Sequence, residues 1–166
     1  MADPSTVRRA VQDDLEAITA IYNEAVLTTT ATFDTEPKTA ADRLAWFRSH
    51  GGRFTVLVAE VDGRVAGWAS LSPWSDRPAY DDTAETSVYV GSAYRGRGIG
   101  RSLYAALIAG AKEEHFHTLL ARVAGESEAS LRLHERCGFR TVGTMKEVGR
   151  KFGRLLDVHL LQLMLE

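Results

Sequence analysis

Gly96, Gly98 and Gly100 alternate with Arg95, Arg97 and Ile99 in a six-residue segment. It stands between an apolar run ending Val88-Tyr89-Val90 and a pattern that places Ile99, Leu103, Leu107 and Ile108 on one helical face. A strand, a turn nearly free of side chains and a long helix must follow one another here. Backbone N–H groups left bare by glycine can close around an anion, and the start of the helix turns its positive dipole end toward the same place. Arg95, Arg97 and Arg101 add fixed positive charge. The segment therefore suits a phosphate or pyrophosphate. It is not a dinucleotide fingerprint, because Arg101 stands where the third glycine belongs. Nor is it a P-loop: Arg95 takes the place of the first glycine, and Gly100-Arg101-Ser102 lacks the lysine.

The rest of the chain alternates in the same way. Thr6–Val11 reads as a strand, and Asp13 with Glu16 resembles a capping box before a helix carrying Leu15, Ile18, Ile21, Tyr22 and Val26. Residues 28–37 read as loop and Thr39–Ser49 as a second helix stopped by Gly51-Gly52. Phe54–Val61 and Val65–Leu71 flank Asp62-Gly63, a two-residue hairpin signal. After a polar, proline-marked loop over 72–82 come a strand at Ala84–Val90, the glycine turn and its helix, then a strand at Leu119–Val123 and a helix at Ala129–Arg136. Two strands, Arg140–Met145 and Leu155–Leu165, end the chain. The order β-α-α-β-β-β-α-β-α-β-β predicts an α/β (α+β) fold with a mixed sheet of about six or seven strands and helices on both faces.

At 166 residues the chain is expected to form one domain over 1–166. Its net charge of −2 leaves no basic field to draw it to nucleic acid or a membrane surface. No apolar run approaches the ~20 residues of a membrane span, and the first nine residues carry no apolar leader segment. The single cysteine, Cys137, permits no internal disulfide. A soluble cytoplasmic protein is the expectation. His115 and His117 are only two ligands at a helix end, too few to hold a metal, so no metal is expected.

Two blocks carry a family resemblance. Arg-Gly-x-Gly-Ile-Gly after a strand is similar to the acetyl-CoA signature of the GNAT superfamily of N-acetyltransferases. Ser127-x-x-Ser130-x-x-x-His134-x-x-x-Gly138-Phe139 has the spacing of that superfamily's Asn-x-x-Ala-x-x-x-Tyr-x-x-x-Gly-Phe segment. Residues 31–37, 84–90, 132–135 and 149–154 resemble the group that acetylates phosphinothricin, methionine sulfone and methionine sulfoximine.

The resemblance implies acetyl transfer from acetyl-CoA to the α-amine of a small amino acid or analogue, by direct attack on the thioester, in a homodimeric GNAT-like fold. It implies Glu85 as the base; burial at the strand would raise its pKa and suit it to that role. His134 stands where the superfamily often has a proton-donating tyrosine; Tyr104 is a second donor candidate. The cofactor side would comprise Val88, Tyr89 and Val90 for the pantetheine arm, Arg95, Gly96, Arg97, Gly98, Ile99 and Gly100 for the pyrophosphate, and Ser127 in the asparagine position. The acceptor side would comprise Phe33, Trp74, Arg77, Tyr80, Glu85, Thr86 and Ser87, with Arg77 suited to a carboxylate or phosphinate. Cys137 reads as packing. Two other functions stay open: acetylation of a protein or peptide amine, and a non-catalytic acyl-CoA sensor or nucleic-acid binder.

Overall fold

The computed structural model describes residues 5–166; Met1–Pro4, part of the segment read as carrying no leader, lie outside the described residues. The elements follow the expected order: β1 (Thr6–Arg9), α1 (Leu15–Thr28), α2 (Ala40–Ser49), β2 (Val56–Val61), β3 (Arg64–Pro73), β4 (Thr83–Val90), α3 (Ile99–Glu113), β5 (Thr118–Ala124), α4 (Glu128–Arg136), β6 (Arg140–Lys151) and β7 (Arg154–Met164). The strands form a seven-stranded sheet in the order β1-β2-β3-β4-β5-β7-β6. Every neighbouring pair is antiparallel except β4 and β5.

Strand alternation gives each face its own core. On β2, Leu57, Ala59 and Val61 join a cluster with Ile99, Leu103 and Leu107 of α3, whereas Val56 and Val58 join Ile18, Tyr22 and Val26 of α1. The fully enclosed Trp68 on β3 belongs to the α1 side. Helices therefore cover both faces of the sheet, as the mixed pattern predicts.

Local chemistry sets the element ends. The Asp62-Gly63 hairpin forms as expected, both residues having positive φ (49° and 74°), the geometry of a primed two-residue turn. Thr39 caps α2: its hydroxyl accepts from the Asp42 N–H at 3.1 Å, and Asp42 accepts from the Thr39 N–H at 2.9 Å. At α1 the expected Asp13–Glu16 box is replaced by Asp14. Its carboxylate accepts from the Val11 N–H at 2.8 Å and is gripped by both terminal nitrogens of Arg8 at 2.8 and 2.9 Å. The Arg8 pair holds the Asp14 carboxyl below its usual range.

β6 is the main departure from expectation, running past Met145 to Lys151. Its pairing with β7 slips between Met145 and Gly149, where Glu147 adopts φ 51°. Asp157 of β7 stabilises that bulge, accepting from the Glu147 N–H at 2.8 Å and the Lys146 ammonium at 3.0 Å. Lys146 and Glu147, just past the expected end of the strand at Met145, thus form the bulge itself.

The join between β4 and β5 positions the site. Their parallel register covers only Thr83↔Thr118, Ala84↔Leu119 and Glu85↔Leu120, although β4 continues to Val90 and β5 to Ala124. Beyond Glu85 the two strands part.

Candidate active site

A cavity of about 480 Å³ opens where β4 and β5 separate. Glu85 to Tyr89 line one wall, Arg122 to Ala124 the other, with Thr30–Phe33, Tyr104, Ser127, Ser130, His134 and part of β6–β7 closing it. The Gly91 N–H donates to the carbonyl of Ala66 in β3, at 2.9 Å. By strand alternation, the backbone groups of Val88 and Val90 therefore turn away from β3, toward the side that β5 has left. The Val90 carbonyl accepts from Arg95 Nε at 3.2 Å.

Glu85 is the last residue of β4 in register with β5. Its two carboxylate oxygens each accept from Arg122, Nε on one and Nη2 on the other, both at 2.6 Å. Arg122 lies two residues past Leu120, on the same face of β5, and reaches back across the opening. Its guanidinium also stands 5.5 Å from the centre of the Trp74 ring. The ion pair raises the arginine further above its usual range. Glu85 is therefore a forked ion-pair partner, not a lone carboxylate in an apolar wall, and Arg122 is the residue that the sequence reading missed. Only the even spacing along β5 hinted at where it would face.

A second polar chain starts at Thr86 on the same wall and runs through α3 to α4. Thr86 Oγ1 lies 3.0 Å from the Tyr104 hydroxyl, which lies 2.6 Å from His134 Nε2. His134 Nδ1 lies 2.7 Å from the Ser130 carbonyl. A carbonyl only accepts, so Nδ1 carries the proton, Nε2 accepts, and Tyr104 donates to it. Burial keeps the imidazole below its ordinary range and pushes the Tyr104 phenol well above its own. His134 is thus neutral, with its one N–H occupied, and lines the cavity beside Tyr104.

Of the expected acceptor residues, Phe33, Glu85, Thr86 and Ser87 line the cavity, while Trp74, Arg77 and Tyr80 do not. Trp74 stays near through Arg122, but Arg77 and Tyr80 sit on the exposed loop before β4. The Phe33 ring lies over Gly149 of β6, where a Cβ would collide with it; glycine is what lets the ring lie there. Tyr89 lines the cavity, and burial pushes its phenol up to about 12.

The expected cofactor residues divide between the cavity and the end of β4. Val88, Tyr89 and Ser127 line the cavity; Val90 and residues 95–100 continue β4 into α3. Gly96 and Gly98 have φ of 77° and 81°, a left-handed backbone that turns the chain into α3. No side chain caps α3, so its first N–H groups face the turn. Arg95 also approaches Glu24 at 3.5 Å, and Arg97 lies against Tyr94. Ser127 begins α4 without its side chain forming a cap.

This geometry suits a long ligand with a diphosphate. The turn and the start of α3 offer uncapped N–H groups, Val88 and Val90 offer strand backbone for amides, and the cavity ends at a carboxylate and a tyrosine. The comparisons agree. Residues 18–139 match the sequence profile of the Acetyltransferase (GNAT) family. The chain is 46% identical to a phosphinothricin N-acetyltransferase of Streptomyces coelicolor, covering 92% of this chain and 91% of that one. It is 40% identical to an L-methionine sulfoximine/L-methionine sulfone acetyltransferase of Pseudomonas paraeruginosa, covering 98% and 95%. Among solved structures, the phosphinothricin acetyltransferase of Sinorhizobium meliloti in complex with acetyl-CoA superposes with a TM-score of 0.94 at 36% identity, over 97% of this chain and 88% of that one. A ribosomal-protein-alanine N-acetyltransferase of Brucella melitensis superposes with a TM-score of 0.92 at 41% identity, over 96% and 99%. With a family profile spanning most of its length and near-full-length relatives at this identity, the chain belongs to the GNAT family of acetyltransferases.

Proposed function

We propose that this acetyltransferase acts as a single domain and uses acetyl-CoA to acetylate the α-amine of a small amino acid or analogue, of the phosphinothricin or methionine sulfone type. The observation that carries the reading is the meeting of Glu85, Arg122 and the Tyr104–His134 pair at one cavity where β4 leaves β5. The relatives' named substrates support an amino-acid acceptor, and the acetyl-CoA complex of a neighbour supports the donor. Acetyl-CoA, when bound, supplies an activated acetyl thioester and a thiolate leaving group.

In this reading the residues 96–100 with the start of α3 hold the pyrophosphate, and Val88 and Val90 hold the pantetheine amides. Glu85 takes the proton that an ammonium must lose before its nitrogen can attack. Tyr104 holds its proton too tightly to be a strong acid; turned from His134 Nε2 toward the cavity, its one O–H would meet negative charge developing there. Phe33 closes the acceptor side, and Arg77 and Tyr80 form an outer rim for the acceptor.

Acetylation of a protein amine is the second reading, favoured by the resemblance to the ribosomal-protein-alanine enzyme. Thiol release measured over phosphinothricin, methionine sulfone, methionine sulfoximine, common amino acids and a panel of N-terminal peptides separates the two. Turnover confined to the peptides would overturn the amino-acid reading.

The enclosed acceptor side is also compatible with a homodimer. Val142, Met145, Val148, Phe152, Leu155 and Met164 leave large apolar side chains exposed on β6, β7 and the turn between them, and Met145 and Val148 also line the cavity. Sedimentation equilibrium is expected to give twice the 18.2 kDa chain mass; a monomer at micromolar concentration would contradict this.

Glu85→Gln is expected to lower turnover by ~10²–10⁴-fold, the usual contribution of a positioned base. Acetyl-CoA affinity by calorimetry should stay near wild type. Undiminished turnover would remove Glu85 from the mechanism.

Burial makes stability depend on His134. Its folded pKa lies below the ordinary histidine value of about 6.5, so on acidification the unfolded chain takes up the proton first. That contribution is complete above pH ~6.5 and is lost as pH falls toward the folded value. Urea midpoints measured from pH 7.5 to 5 should therefore fall, and fall less steeply in His134→Gln; His50, also held low by burial, remains as a common background. Equal slopes would contradict a buried neutral His134.

A further inference from the structure

Among the described residues that line the cavity, Arg122 is the only arginine or lysine. It spends both of its well-placed N–H groups on Glu85. A carboxylate gripped in that fork is poorly placed to accept a proton from an incoming ammonium, so the base must first be released. The pair is not buried: the Glu85 and Arg122 side chains are 20% and 54% exposed. Ion pairs this accessible to water contribute little to stability, so exchanging partners costs little.

An α-amino acid at neutral pH carries an ammonium and a carboxylate on the same carbon. It can replace the internal pair with two external ones, its carboxylate on the arginine fork and its ammonium on Glu85. Trp74 stands beside the guanidinium and limits where it can move. Arg77, the other cation expected to read an acidic group, lies outside the cavity lining. An amine without a carboxylate offers Arg122 nothing in exchange and leaves Glu85 held.

We propose that Arg122 is a specificity residue that holds Glu85 until a substrate α-carboxylate takes its guanidinium, so that recognising an amino acid and freeing the base are one event. This rests on Glu85 acting as the base. It adds that preference for free α-carboxylates originates on β5, in a side chain that reaches across the opening.

The test compares L-methionine sulfone with its α-carboxamide, which keeps the amine and side chain but lacks the negative charge. Wild-type kcat/KM should favour the acid by ~10- to 100-fold, the range of one charge-assisted hydrogen-bonded contact. In Arg122→Gln the preference should collapse to within ~3-fold, through a raised KM and lowered kcat/KM on the acid, while the carboxamide is turned over as well as before or better. Arg122→Lys, which keeps the charge but not the fork, should recover part of the preference. A preference that survives in Arg122→Gln, that falls equally for both compounds, or that disappears instead in Arg77→Gln would overturn the proposal. Calorimetry of both compounds against Glu85→Gln with CoA present separates this from the base reading. Tighter binding of the acid there, with turnover of both compounds lost, supports both; tighter binding with turnover undiminished overturns the release of the base but keeps Arg122 as the carboxylate reader.

Discussion

The parting of β4 from β5 after Glu85 is the constraint on which the site depends. Two parallel strands normally exchange hydrogen bonds along their whole overlap. Here the register ends after Glu85↔Leu120, and five residues of β4 continue without it. The separation opens a cavity inside an otherwise continuous sheet and turns the backbone of Val88 and Val90 toward it. It also leaves Glu85 at the apex, where its carboxylate is enclosed by protein on most sides yet still reached by water. Both hydrophobic clusters press on the strands around this gap, α3 from one face and α1 from the other. The opening is thus held by packing rather than by its own hydrogen bonds.

Two polar systems divide the work at the apex. The Glu85–Arg122 pair is accessible, charged and able to exchange partners. The Thr86–Tyr104–His134–Ser130 chain is buried and neutral, and its donor order is dictated by the carbonyl at its end. Exposure makes the first pair cheap to rearrange, while burial makes every bond of the second costly to break. Transfer of an acetyl group calls for a mobile proton acceptor on the amine side and, where negative charge develops, a neutral O–H that only a forming anion draws away from His134.

Much of this was legible from sequence because it is local. The element order, the Asp62-Gly63 hairpin and the glycine turn into α3 each depend on residues a few positions apart. Glu85, Thr86, Ser87, Val88 and His134 could be named because motif blocks fix their positions, and the structure brings them to one cavity. What escaped depends on partners distant in the chain. Arg122 meets Glu85 across 37 positions, and nothing around Arg122 in sequence marks it. The extension of β6 depends on Asp157 supporting a bulge at Glu147. The buried cation of α2, Arg43, was hidden among apolar neighbours; it lies against the rings of Trp46, Tyr22 and Trp68, contributed by two helices and a strand. Arg77 and Tyr80 differ the other way: their chemistry suits an acidic substrate, and the loop before β4 places them outside the cavity lining.

The proposed activity requires the cofactor to occupy the gap between β4 and β5, and amide hydrogen exchange reads that directly. Adding CoA should slow exchange sharply at Val88, Val90 and the first amides of α3, Gly98 to Gly100, with β1 and β2 unchanged. Binding of CoA with exchange at Val88 and Val90 unaffected would contradict it, because the opened strand would then not be where the cofactor lies.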